Sequence, residues 1–267
     1  MDQVKRTGVI GLGAMGLQMA RHMAAKGFDV IGHDVSPDAM ARATTHQLRV
    51  ADAAAVARHA EVAIVMVATD AQVESVTGDL IATLAPGAVI CIASSVAPDT
   101  CRDLASRAAV RGIGVLDTPV VLGQQAADEA RLTIYVGGEA RWFERALPVL
   151  SAFGAQVLHL GPVGTGQIAK TINNMLLWAC MAANFEALTL AKQLGADVPR
   201  LVAALGHGSG ANWSLSRWGK STGKWAEKDM DVALDLAQAA KVPAPLGALV
   251  DQLVKSINQD RMKALLS

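Results

Sequence analysis

The sequence predicts an α/β fold in two parts. An N-terminal domain of alternating strands and helices spans residues 1–162, and a smaller all-helical C-terminal domain spans 163–267, entered by one long connecting helix at about 166–194. Three observations predict it. Apolar runs bounded by turn residues recur to about residue 160, with Ala-rich helical stretches between them, the alternation of a parallel sheet crossed over by helices. The segment Gly161-Pro162-Val163-Gly164-Thr165-Gly166 then breaks the pattern. After it the chain runs from 167 to 194 without a Gly or Pro, and no further strand pattern follows.

The first element is the most informative. A short apolar run at 8–10 reaches Gly11, and Gly11, Gly13 and Gly16 follow at G-x-G-x-x-G spacing. A helical stretch at 17–26 leads to a second strand at 30–32 and then to Asp34, roughly 20 residues past the first glycine. Strand, tight turn, helix, strand and acid together make the fingerprint of a Rossmann dinucleotide-binding unit. Gly11 permits the turn, Gly13 lets backbone approach a pyrophosphate, and Gly16 lets helix and strand pack closely. The helix N-terminus offers unpaired N–H groups to phosphates. Asp34 is placed to accept hydrogen bonds from ribose hydroxyls. The spacing alone is also compatible with plain turn glycines.

The remaining elements follow in order. Runs at 62–67, 89–92 and 113–116 read as further buried strands, and 37–43, 71–84 and 98–110 as helices. Pro98 suits a first helical turn. Runs at 132–136 and 156–160 extend the sheet, and Gly137-Gly138 turns the chain into a helix holding Trp142.

Composition narrows the function classes. The 267 residues carry 24 basic and 24 acidic side chains, a balance that argues against nucleic acid or an anionic membrane as partner. The three cysteines show no C-x-x-C spacing and the six histidines no ligand spacing, so no metal is assigned. Reduced thiols point to the cytoplasm. The apolar stretch 172–194 is interrupted by Asn173, Asn174, Asn184, Glu186 and Lys192, as in a buried helix rather than a membrane span.

Two later segments carry candidate chemistry. In Gly164-Thr165-Gly166-Gln167-Ile168-Ala169-Lys170-Thr171-Ile172-Asn173-Asn174, Lys170 and Asn174 share a helical face at i, i+4. A lysine there can act as general acid or base, and an amide can orient a substrate oxygen; a surface lysine and a core amide fit the same pattern. Lys228-Asp229 reads, by itself, as a helix start with an acid in its first turn.

Together these segments resemble the β-hydroxyacid dehydrogenase family, which includes 3-hydroxyisobutyrate dehydrogenases and, more distantly, 6-phosphogluconate dehydrogenase. Gly11-Leu12-Gly13-Ala14-Met15-Gly16 looks like the family's cofactor signature, and Ser94-Ser95-Val96-Ala97-Pro98 is similar to its nicotinamide loop. Asp117-Thr118-Pro119-Val120-Val121-Leu122-Gly123 stands where the family has D-A-P-V-S-G-G, and 164–174 matches G-x-G-x-x-x-K-x-x-N-N. The resemblance implies reversible hydride transfer between a nicotinamide and the hydroxyl or carbonyl carbon of a β-hydroxyacid or related alcohol. It implies Lys170 and Asn174 as catalytic residues, and Leu12, Ala14, Met15, Val67, Ser95 and Lys228 as cofactor contacts beside the glycines and Asp34. Substrate contacts would be Val121, Leu122, Gly123, Lys170, Asn174 and Trp213. Relatives imply a homodimer or homotetramer.

Two features individualise the chain. Asp34-Val35-Ser36 lacks the Asn-Arg pair of NADP-preferring relatives, and a carboxylate repels a 2′-phosphate, so NAD is expected. Val121-Leu122 replaces a Ser-Gly pair that helps bind the substrate carboxylate in the family. Either the carboxylate is held elsewhere, with Gln124 and Gln125 as candidates, or the substrate is larger and more apolar. Trp213, Trp218 and Trp225 are open to packing, dimer or substrate roles; His33 and His159 are read as structural. The competing functions are an imine or ketone reductase on this fold and a non-catalytic NAD-binding protein.

Overall fold

The computed structural model describes residues 4–220 and 223–267. The chain divides into two compact units, Met1–Lys170 and Thr171–Ser267. Among the described residues the first unit holds β1 (Arg6–Ile10), α1 (Ala14–Ala25), β2 (Asp29–His33), α2 (Pro37–Thr45), β3 (Arg49–Val50), α3 (Ala53–His59), β4 (Val62–Val65), α4 (Asp70–Thr83), β5 (Val89–Ile92) and α5 (Pro98–Ala109). It continues with β6 (Gly114–Asp117), β7 (Val120–Val121), α6 (Gly123–Asp128), β8 (Leu132–Gly137), α7 (Ala140–Leu150), β9 (Gly154–Gly161) and the start of α8 (Thr165–Gln193).

These strands form one sheet of order β3-β2-β1-β4-β5-β6-β8-β7, with β9 paired to β8. β1 to β6 run parallel. Their strands alternate between two cores. Val62 and Ile64 join one apolar cluster, with Cys91 and Leu116, while Ala63 and Val65 join the other, with Ile90, Ile92 and Val115. Successive side chains point to opposite faces, and helices cover both, which is why the strands read as unbroken apolar runs. Each fully buried Leu or Ile here contributes about 1.5–3 kcal/mol. Strand order reverses between β1 and β4, so a crevice opens at their carboxyl ends.

The sheet differs from a wholly parallel one. β8 runs antiparallel to β6 and to β7, and β9 returns parallel to β8. Four short elements, β3, α3, β7 and α6, lie in segments that carry no strand or helix expectation. The two-residue strands exist only through pairing with a longer neighbour, which local pattern does not encode. α3 is capped by Asp52, whose carboxylate accepts from Ala55 N–H at 2.6 Å.

The second unit holds the rest of α8 and the helices α9 (Val198–Leu205), α10 (Trp213–Ser216), α11 (Ala226–Ala239), α12 (Pro245–Val254) and α13 (Gln259–Ala264). Trp178, Met181, Leu215, Trp218, Met230 and Val254 make its core. Asn184 donates to Asn212 and to Ser214, at 2.9 and 2.8 Å, and Asn212 caps α10 through Leu215 N–H at 2.9 Å. Among the described residues no helix is long and apolar enough to cross a membrane.

Candidate functional site

The site grows from the turn between β1 and α1. Gly11 takes φ +97°, and a Cβ there would lie 2.1 Å from the Met66 carbonyl oxygen. A Cβ on Gly16 would lie 1.9 Å from the Gly11 oxygen. Both glycines are therefore required by the chain's own packing. Gly13 is different: a Cβ there would meet nothing within 4 Å. Its side-chain-free backbone opens outward, at the N-cap of a helix that has no side-chain cap. The glycine at this position fits the close approach of a pyrophosphate to uncapped N–H groups. Leu12 turns its side chain into the core and Met15 packs against it, so these two present backbone rather than side chain to the turn.

Asp34, at the end of β2, braces this turn. Its carboxylate accepts Leu12 N–H at 2.7 Å and Ser36 N–H at 2.8 Å. It also lines a groove of about 790 Å³, together with Gly11, Gly13, Val67, Gln72 and Asp79 among others. That volume lies in the ~300–1,000 Å³ range of small-molecule sites. Among the described residues the acids lining it are Asp34 and Asp79, and no Lys or Arg lines it. His33 lines it too, with its Nδ1 paired to the Ala51 carbonyl at 2.9 Å.

Polar ties join the next strand ends. The Ser94 hydroxyl accepts Val67 N–H and donates to the Val67 carbonyl, each at 2.8 Å, stitching the end of β4 to that of β5. Gln167, buried in the first turn of α8, donates to the Ser94 carbonyl at 2.7 Å and accepts Val96 N–H at 3.3 Å. Ser95, between them, is exposed. Asp117, at the end of β6, is fully buried and accepts Gly164 N–H at 2.7 Å and Gln167 N–H at 2.8 Å. Burial pushes its carboxyl pKa above the ordinary value, against the backbone N–H groups that favour the charge. Asp117 and Gln167 are the positions that motif reading passed over. Their signal lay in the motifs themselves, one opening the Asp117 loop and one a turn ahead of Lys170.

Lys170 lies on α8 within the same unit, and its Nζ donates to the Val120 carbonyl at 2.8 Å. The structure thus brings Lys170 onto the loop that carries Val121, Leu122 and Gly123. Val121 is buried and Leu122 exposed. Leu122 takes φ +83°, a left-handed conformation that costs a branched residue about 1–2 kcal/mol. Gln124 Nε2 donates to the carbonyl of Ala14 in the glycine turn at 3.2 Å and to Asp128 at 2.8 Å, and Gln125 pairs with Glu129 at 3.0 Å.

Asn174, Trp213 and Lys228 belong to the second unit. Asn174 is buried and its Oδ1 accepts from Asn173 at 3.1 Å. Trp213 is exposed under the Arg217 guanidinium, Trp225 is exposed beside Lys224, and Trp218 is buried with its Nε1 on the Met262 carbonyl at 3.1 Å. Lys228 is exposed in the first turn of α11, and its neighbour Asp229 accepts Trp178 Nε1 at 2.9 Å. His159 stacks on Phe143 and bonds the Gly138 carbonyl at 2.7 Å. Burial raises the Cys91 and Cys101 thiols far from reactivity. Among the described residues no group of three His, Cys, Asp or Glu side chains is placed to hold a metal ion.

Residues 6–161 match the family model of the NAD binding domain of 6-phosphogluconate dehydrogenase. Residues 164–265 match the model described as NAD-binding of NADP-dependent 3-hydroxyisobutyrate dehydrogenase. The chain belongs to the 3-hydroxyisobutyrate dehydrogenase-like family. A 3-hydroxyisobutyrate dehydrogenase of Pseudomonas aeruginosa is 36% identical over 265 residues, covering 91% of this chain and 89% of the relative. An NAD-dependent L-serine dehydrogenase of the same organism is 32% identical, covering 94% and 92%. Among solved structures, a Mycobacterium tuberculosis 3-hydroxyisobutyrate dehydrogenase with L-serine aligns at TM-score 0.89 with 27% identity, over 99% of this chain and 98% of that one. The family-model matches make the first unit a nicotinamide-dinucleotide-binding domain and the chain a member of an oxidoreductase family.

Proposed function

We propose that the chain is an NAD-dependent dehydrogenase of a 3-hydroxyacid or related alcohol, with Lys170 as general acid/base. The observation that carries this reading is the Lys170 Nζ bond to Val120 O, at 2.8 Å, in the unit that also holds the glycine turn and its groove. NAD, when bound, supplies the hydride acceptor and donor. The residues that would hold it are Gly11 to Gly16, Asp34, Val67, Ser95 and Lys228. In oxidation the Lys170 amine takes the substrate hydroxyl proton; in reduction its ammonium returns that proton to the carbonyl oxygen. Asn174 orients the same oxygen, and Val121, Leu122, Gly123 and Trp213 shape the substrate's surroundings.

The groove supports NAD over NADP. Among the described residues Asp34 and Asp79 line it without a Lys or Arg, so a 2′-phosphate would meet negative charge. A homo-oligomer is supported by exposed Ile168, Ile172 and Leu176, spaced i, i+4, i+8 along α8, with Leu190 and Leu194 further on. Three free cysteines support a reducing cytoplasmic setting.

The test is NADH formation across a panel of 3-hydroxyacids, with NADP in parallel and Lys170→Ala alongside. Lys170→Ala is expected to lower kcat by about 10²–10⁴-fold while calorimetric NAD binding persists. Unchanged turnover in that variant overturns the role of Lys170, and faster turnover with NADP overturns the cofactor assignment.

A further inference from the structure

Four described non-glycine residues have positive φ: Gln47, Leu122, Ala130 and Lys241. Gln47, Ala130 and Lys241 each follow the C-cap of a helix, α2, α6 and α11 in turn, where a left-handed residue closes the last turn. Leu122 alone among them stands at a helix start. It is the N-cap of α6 at φ +83°, without a side-chain cap hydrogen bond, at a position where extended backbone is the rule. Glycine would take this conformation without penalty, as the next residue, Gly123 at φ +75°, does. Core packing does not explain the leucine either. The residue is 37% exposed, whereas Val120 and Val121 beside it are buried.

Two ties set where this strained leucine stands. On one side Val120 O receives Lys170 Nζ at 2.8 Å. On the other, Gln124 reaches the Ala14 carbonyl of the glycine turn at 3.2 Å. Leu122 thus lies in the chain between Val120, which receives the proposed proton carrier, and Gln124, which reaches the turn proposed for the pyrophosphate. Backbone strain persists where surrounding structure enforces it, and it clusters at sites of function.

We propose that Leu122 is a substrate-specificity residue: its isobutyl group forms an apolar wall beside the reacting centre. That wall selects a hydroxyacid bearing a branched-alkyl or aryl substituent over one bearing an ammonium, a hydroxyl or a second carboxylate. The proposal rests on the dehydrogenase reading above. A polar substituent set against this wall loses water and gains no hydrogen bond, whereas an apolar one gains contact.

The experiment compares kcat/KM with NAD for 3-hydroxyacids carrying methyl, isopropyl, phenyl or ammonium at C2. The proteins are the unmodified chain, Leu122→Gly and Leu122→Met. Leu122→Gly is expected to lower the isopropyl-to-ammonium ratio by about tenfold or more, and Leu122→Met to keep most of it. The same ratio in a folded, active Leu122→Gly protein overturns the proposal. Should the unmodified chain turn over none of these acids, the dehydrogenase reading fails. Leu122 is then judged on calorimetric binding of isobutyrate against glycine to the NAD-loaded protein. Equal affinity ratios for the unmodified chain and Leu122→Gly would sink the assignment there too.

Discussion

Two turns of this molecule share a Gly-x-Gly pattern and open onto a helix, yet they do opposite things with the helix N-terminus. At 164–166 the chain fills that position itself. The Asp117 carboxylate receives the N–H groups of Gly164 and Gln167, and a Cβ on Gly166 would lie 2.8 Å from Asp117 Oδ2. At 11–13 an acid is again present, but Asp34 takes Leu12 N–H from the side, and a Cβ on Gly13 would meet nothing of the chain. One turn binds an internal anion and is structural. The other opens a helix without a side-chain cap and leaves the space over Gly13 empty, which suits an external anion. Glycine spacing does not separate the two cases; what occupies the helix end does.

Substitutions sharpen this contrast. The largest effect is expected for Gly166→Ala, whose methyl would lie 2.6 Å from the Tyr135 carbonyl oxygen as well as against Asp117. Urea denaturation should show a loss of about 3 kcal/mol, the upper end of overpacking costs. Asp117→Asn comes next. One of its two backbone donors would face an amide NH₂ instead of an oxygen, at an expected cost of about 1–3 kcal/mol.

The same variant tests the pH linkage. Burial raises the folded-state pKa of Asp117 above the unfolded value, so the folded protein holds that proton more tightly. The resulting stabilisation is complete below the unfolded pKa and is lost as pH rises through the folded pKa. The stability gap between the unmodified chain and Asp117→Asn should narrow over that window; a gap that widens instead contradicts the burial argument. At the open turn, Gly13→Ala is expected to weaken NAD binding by roughly tenfold, near 1.4 kcal/mol. Its thermal stability should stay close to that of the unmodified chain, because the methyl points into free space. Equal loss of stability in Gly13→Ala and Gly166→Ala would erase the distinction between the turns. The smallest effect is expected for the stability of Leu122→Gly. Relief of strain opposes the extra entropy of an unfolded glycine, leaving a net change within about 1 kcal/mol by chemical denaturation.

Much of the fold was legible because it is periodic. The buried runs of β1, β2, β4, β5 and β6 are strands covered on both faces, and such strands announce themselves as continuous apolar stretches. The long helix was visible as a run free of Gly and Pro, and it occupies Thr165–Gln193. The antiparallel pairing of β7 with β8 was not visible, because two residues carry no period and their partner lies in another segment. The candidate site divides the same way. The glycine motif, Asp34 and Lys170 sit in recognisable strings. The bridging by Gln167, from α8 to Ser94 and Val96, joins residues more than 70 positions apart, and no local pattern encodes it.

Residue type and spacing by themselves determined the alternating first domain, the helical second one and the dinucleotide fingerprint, because each rests on local sterics and hydrophobic period; the candidate lysine came from the resemblance of its segment to a family motif. Tertiary structure alone decided that Asp117 closes one helix end while Gly13 leaves another open. It alone set Lys170 Nζ on the Val120 carbonyl and held Leu122 at positive φ. Those facts depend on which distant groups meet, and the free energy of a donor, an acceptor or a strained residue is set by those neighbours.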